Sequence, residues 1–242
     1  MPHTHKDKRN FSAALLLALV IGSTRVLQGV HYPTDVLAGW SIGLACAHLP
    51  LLSPLPAEDA HGIATRCRQA FPAQPWRATH TIFASLPFGQ NGAVVGVTAV
   101  GSGGLHAVLL SPEGICLFDA SQASGASDLI VHRAVPPFDR PGFATSLISD
   151  VGHAYLPPAG EPTAIGTYAT GETVCRWSQA GETTDVVLRA DGPRAVRTYR
   201  EVRLTREIDL LGTAADGFFP AVHLLVPGIS GYQLDMSLVD HE

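Results

Sequence analysis

Charge is scarce in this chain. Asp, Glu, Lys and Arg make up 15% of its 242 residues, the formal net charge is −5, and no basic tract is present. That balance excludes nucleic-acid binding as a main role. The sequence also lacks a phosphate-binding glycine loop, a G-x-S-x-G nucleophile elbow, an H-E-x-x-H zinc helix and a dinucleotide fingerprint. Its four cysteines, Cys46, Cys67, Cys116 and Cys175, form no C-x-x-C pair, so zinc-ribbon and thioredoxin-type roles have no support. Export would allow two bridges, but the cysteine positions suit isolated buried thiols better, and disulfides are disfavoured. No internal repeat, heptad or low-complexity tract is visible. What the chain has instead is apolar residues, 46% of the total, which fits a mixed membrane and globular protein.

The apolar content is concentrated first near the N-terminus. Phe11 to Thr24 is uncharged, and with Val26 to Val30 it reaches about spanning length, interrupted by Arg25 and Gln28. Val36 to Leu52 is a second uncharged stretch. Two transmembrane helices in a hairpin are expected. Lys6, Lys8 and Arg9 precede the first, which places the N-terminus in the cytoplasm and the hairpin tip outside. A cleaved signal peptide, a lipoprotein signal ending at Cys46 and a soluble helical hairpin are the competing readings.

Between the two stretches lies Thr24-Arg25-Val26-Leu27-Gln28-Gly29-Val30-His31-Tyr32-Pro33-Thr34-Asp35, in the pattern R-x5-H-x3-D. The chemistry suggested is phosphoryl transfer. A guanidinium grips phosphate oxygens as a fork, an imidazole attacks phosphorus, and a carboxylate fixes its tautomer. A helix starting near Pro33 would add its free N–H groups. The segment through Gly39 resembles the last signature of the type 2 phosphatidic acid phosphatase (haloperoxidase-related) superfamily, with Thr24 where that family has Ser. The resemblance implies that His31 forms a phosphohistidine, Asp35 orients it and Arg25 binds phosphate. It implies a lipid phosphate or isoprenyl pyrophosphate substrate, no metal and no cofactor. It also implies a bacterial inner-membrane location with the motif facing the periplasm. Two further signatures of that superfamily, K-x6-RP and P-S-G-H, are missing; Pro2-His3-Thr4-His5 only superficially resembles the second. Residues 1–52 therefore read as an incomplete phosphatase domain. Such groups act as a unit, so little turnover is expected from this chain alone.

After Leu52 the composition changes. Residues 53–75 read as a Pro-rich linker with a short helix at Ala64 to Phe71, and residues 76–242 as a second domain. Candidate strands are Thr79–Leu86, Ala93–Val100, His106–Leu110, Ile115–Ala120, Leu129–Val135, Thr173–Ser178, Asp185–Ala190, Ala195–Leu204, Ala221–Val226 and Gln233–Val239. Phe143 to Val151 reads as a short helix. Asp191-Gly192 and Pro112-Glu113-Gly114 mark hairpin turns. The fold class is α+β: an N-terminal helical hairpin followed by a mainly antiparallel β domain, a curled sheet or half-barrel with short helices. The strand run from Val94 to Asp119 and the closing segment Phe219–Leu234 resemble LolB/LolA-like lipoprotein domains, which implies an apolar cavity for acyl chains.

In the second domain His106, His132, His153 and His223 are scattered without metal-ligand spacing and read as surface or strand-end residues. Pro136 to Phe143 reads as a stiff connector, with the rim of a cavity as the other reading. A second function class follows: a membrane-tethered lipid- or lipoprotein-binding module without catalysis. The side of the membrane that holds the β domain stays open, because a two-span hairpin returns the chain to the cytoplasm whereas a LolB-like domain belongs outside.

Overall fold

The computed structural model describes residues 49–86, 91–125, 128–190, 194–228 and 230–242. Leu49–Glu242 forms one compact unit. Arg25, His31 and Asp35, with the expected helix ends around them, lie outside the described residues, as does the 191–193 turn.

The unit is built on one sheet. Its strands are β1 (Ser53–Pro54), β2 (Trp76–Ser85), β3 (Asn91–Gly101), β4 (Gly104–Leu110), β5 (Cys116–Gln122), β6 (Leu129–Ala134), β7 (Ala164–Thr167), β8 (Thr173–Gln179), β9 (Glu182–Leu188), β10 (Arg194–Arg200), β11 (Arg203–Leu211), β12 (Ala221–Val226) and β13 (Tyr232–His241). Two helices accompany them, α1 (Ala57–Gln69) and α2 (Phe143–Tyr155). The spatial order is β1-β7-β8-β9-β10-β11-β12-β13-β2-β3-β4-β5-β6. Every pairing is antiparallel, so two meanders meet where β13 pairs with β2.

The sheet curls without closing. β9 and β4 are seven steps apart in the strand order. In a flat sheet they would be about 34 Å apart at ~4.8 Å per step. Yet Leu105 of β4 and Glu182 of β9 line the same cavity. The ends β1 and β6 remain edges, which makes a half-barrel rather than a barrel.

Alternation along the strands makes the helix-bearing face apolar. Cys175, Val186, Val196, Ile208 and Leu224 lie at successive register positions from β8 to β12 and are all buried in the main core. α2 presents Leu147, Ile148, Val151, Ala154 and Tyr155 to that core, at the three- and four-residue spacing of one helix face. It also carries the chain from the β6 edge back toward β7. The Pro136–Phe143 segment before it is a connector: Phe138 and Phe143 pack edge-on, and Phe143 packs on Phe118.

α1 has a thinner apolar stripe, Ile63, Ala64 and Cys67. It begins at Ala57, within the stretch expected as a linker, and Glu58 and Asp59 in its first turn with Arg66 and Arg68 in its last suit the helix dipole. A helix of 13 residues is marginal by itself. This one is fastened by a disulfide between Cys67 and Cys175 of β8, across 108 residues of sequence. The expectation of isolated thiols is thereby corrected; Cys116 stays free. β1 also falls within the expected linker. It lies against β7 because Gly166 has no side chain there, a Cβ at that position coming within 2.4 Å of the Ser53 carbonyl oxygen.

One expected strand divides in two. Ala195–Leu204 is the hairpin of β10 and β11, turning at Glu201 and Val202 with Glu201 at φ 59°. A Glu-Val turn carries none of the Gly or Asn chemistry that marks hairpins.

Candidate functional site

A cavity of about 460 Å³ lies beneath α2, within the range typical of small-ligand sites. One wall is Thr145, Ile148, Ser149, Gly152 and His153 of α2, continuing through Leu156 and Pro157. The facing wall joins Leu105, Gln122 and Leu129 from one side of the half-barrel to Trp177, Gln179, Glu182 and Thr184 from the other. Gly152 matters here, because a Cβ built on it meets nothing within 4 Å. A second, smaller void of about 40 Å³ sits on the other side of α2, between Ile82, Leu109, Leu147 and Leu234.

Between these two spaces runs a polar cluster anchored on α2. Asp150 is buried; Arg206 Nε donates to its Oδ1 at 2.6 Å and the Tyr232 hydroxyl donates to its Oδ2. Burial pushes the Asp150 carboxyl above the usual range, against the pull of Arg206 and Tyr232. The same burial, with Asp150 beside it, raises the Tyr232 hydroxyl, so it stays a donor. One turn on, His153 Nδ1 donates to the Ser149 carbonyl at 2.7 Å, and its Nε2 lies 3.3 Å from Glu182 Oε1.

Ser149, His153 and Glu182 invite comparison with a nucleophile–base–acid triad, and the geometry rejects it. Ser149 Oγ is 3.4 Å from His153 Nδ1, the nitrogen whose proton is already given to the Ser149 backbone. A base must offer a lone pair to the hydroxyl it activates. Among the described residues no group of three His, Cys, Asp or Glu is arranged to hold a metal.

Two buried groups position α2. Arg194 of β10 donates to the Ala70 carbonyl at the end of α1 and, at 2.7 Å, to the Ala154 carbonyl in the last turn of α2. Its guanidinium lies 4.1 Å from the Phe71 ring centre. It thus satisfies the carbonyl ends of both helices with one cation and no carboxylate. Burial pulls its pKa down to about 9, which leaves it charged at neutral pH. On the far side of α2, Tyr155 donates to His80 Nε2 at 2.9 Å. Burial lowers His80 to about 4, so it is the neutral acceptor.

The sequence reading placed His153 among surface residues; it lines the cavity instead. His106, His132 and His223 are on the opposite face, bonded to Asp119, Ser121 and Asp235. Asp150 falls within the expected Phe143–Val151 helix and is buried on α2. The signal that could have found the pair was the spacing Ser149-Asp150-x-x-His153 on a helix, next to the sheet-facing apolar residues.

The family model of the PAP2 superfamily matches residues 3–55. No curated protein matches the chain significantly. Among solved structures, a LolA superfamily protein of Nitrosomonas europaea is similar with a TM-score of 0.46 and 9% identity, over 76% of this chain and 92% of that one. An outer membrane lipoprotein-sorting protein domain of Vibrio parahaemolyticus gives 0.46 and 12%, over 77% and 93%. A DUF1329 family protein of Desulfovibrio piger gives 0.37 and 10%, over 77% and 92%. Likenesses this distant do not extend to function, and the site stands on its own residues.

Among the described residues no helix is long and apolar enough to cross a membrane.

Proposed function

We propose that the 49–242 unit is a binding module that holds an apolar chain in the cavity under α2, without catalysis. The observation that carries this is the cavity itself, an open cleft bounded by α2 and both sides of the half-barrel, with Leu105, Leu129, Ile148, Leu156 and Trp177 among its walls. Burying a chain there gains about 25 cal/mol per Å² of apolar surface, less the cost of immobilising it. The polar cluster beside it is internally satisfied, which favours holding over chemistry. The test is calorimetric titration of the full chain, kept in amphipol, with an uncharged decyl-chain ligand below its micelle concentration. The control is Gly152→Leu, which fills the cavity where a side chain has room and removes a helix-interior glycine. Saturable binding lost in Gly152→Leu supports the proposal; equal heats from both chains refute it.

A second reading is favoured by the superfamily match at residues 3–55. Under it the N-terminal segment is phosphatase-like: His31 attacks a lipid phosphomonoester or pyrophosphate, Asp35 orients it, and Arg25 stabilises charge on the equatorial oxygens. Purified full chain is assayed with phosphatidic acid and isoprenyl pyrophosphate against His31→Ala; rates equal to that variant's sink it.

For location we propose an inner-membrane protein whose motif and β unit both face the periplasm. Disulfides persist in oxidising compartments, and Cys67–Cys175 holds α1 to the sheet. Both features share one side if Phe11–Val30 crosses the membrane and Val36–Leu52 does not. Thiol alkylation of whole cells under non-reducing conditions tests this. Recovery of Cys67 and Cys175 as free thiols would contradict it.

A further inference from the structure

The charges around the cavity say what kind of head group the bound chain carries. Of the residues lining it only His153 and Glu182 are ionisable, and they face each other at 3.3 Å. Arg200 is 3.8 Å from the other Glu182 oxygen. The remaining cations nearby are arginines already committed. Arg206 pairs with Asp150 at 2.6 Å, and Arg68 pairs with Glu161 at 2.7 Å while donating to the Gly160 carbonyl. The only lysines of the chain, Lys6 and Lys8, lie outside the described residues.

An anionic head entering this space meets the Glu182 carboxylate and must break an existing ion pair to gain a cation. Freeing Arg206 would leave the Asp150 carboxylate buried and unpaired, which is costly, and Arg200, mostly exposed, lies against the Glu182 carboxylate. A cationic head would have to displace His153 and Arg200 from the one carboxylate available. What the walls offer without such exchange is neutral: the amides of Gln122 and Gln179 and the hydroxyls of Thr145, Ser149 and Thr184. Resting on the chain-binding reading above, we infer that the ligand is an amphiphile with an uncharged, hydrogen-bonding head, of the glycerol or amide class, and that the cavity discriminates against phosphate and carboxylate heads. The phosphate-directed motif at the N-terminus and this cavity then serve different ligands.

The experiment is a head-group series on one chain length. 1-Monodecanoylglycerol, decyl phosphate, decanoate and decyltrimethylammonium are titrated, each below its micelle concentration, into the full chain in amphipol and into Gly152→Leu. The expected result is tightest binding of monodecanoylglycerol, with decyl phosphate weaker by about tenfold or more. Glu182→Lys should narrow or reverse that gap. Decyl phosphate or decanoate binding as tightly as the glycerol ester overturns the head-group inference and leaves chain binding standing. Tightest binding of decyltrimethylammonium overturns it equally. If no ligand gives saturable binding that Gly152→Leu abolishes, the chain-binding reading itself fails and this inference falls with it.

Discussion

Four neighbouring strands carry two opposite solutions to burial on their two faces. On the helix-bearing face, Cys175, Val186, Val196 and Ile208 form an apolar row. One residue away on the same strands, the outer face carries Arg176, Asp185, Arg197 and Glu207, in register and alternating in charge. Arg176 grips Asp185 with two bonds of 2.7 and 2.6 Å, and Arg197 meets Glu207 at 2.9 Å. Tyr168 donates to Asp185 at 2.6 Å, and Arg176 also donates to the Pro50 carbonyl. Asp185 is fully buried, under the same segment that brings Leu52 against Val174 and Val187. The inner row is non-directional and tolerates a cavity beside it. The outer row is directional and fixes register, because slipping one strand by a residue would bury each charge beside an apolar neighbour.

The largest expected effect comes from cutting the inner row at its covalent point. Replacing Cys67 and Cys175 together by Ser should cost about 4 kcal/mol, from a bridge spanning 108 residues. That corresponds to a drop in melting temperature on the order of 10 °C. A reduced wild-type chain should match the variant, and no change in either would mean the bridge does not constrain the fold.

Next is the outer row. Asp185→Ala should cost about 3–4 kcal/mol in urea unfolding, because it strands Arg176 beside Arg197. The double change Asp185→Leu with Arg176→Met should cost clearly less than the single one. If the single change is silent, the charged row is ornamental and the comparison fails.

A slightly smaller effect is set by pH. His80 has a folded pKa lowered by burial to about 4 against an ordinary 6.5. Below 6.5 the unfolded chain takes up a proton that the folded chain refuses, so stability is full above that value and falls as pH drops toward 4. The loss is about 3 kcal/mol across that window. His80→Gln should flatten this part of the stability–pH curve; an unchanged slope would show that His80 is not the group responsible.

The smallest effect should come from Phe83, about half exposed on the outer face of β2. Phe83→Ser should shift stability by within about 0.5 kcal/mol. A loss several times larger would reveal that something covers that face.

The strands and α2 were legible because alternation and helical spacing are local. Thr173–Ser178, Ala221–Val226 and Phe143–Val151 each sit inside the element that formed. What was not legible depends on partners far along the chain. Cys67 looked like a linker cysteine until α1 lay on β8, and the Arg176–Glu207 ladder exists only once four strands are in register. The cavity was expected only in kind. Its wall joins β4–β6 to β8 and β9, which the sequence keeps apart and only the curl of the sheet brings together.

The central claim, that the space under α2 holds an apolar chain, is tested most directly by the fluorescence of Trp177, which lines the cavity. The full chain is titrated with a monoacylglycerol brominated along its decyl chain, and the emission is compared with that of Trp177→Phe and Gly152→Leu. The account predicts saturable quenching that disappears in both variants and is competed by the unbrominated ligand. Quenching that persists in Trp177→Phe, or that rises linearly without saturation, would contradict it.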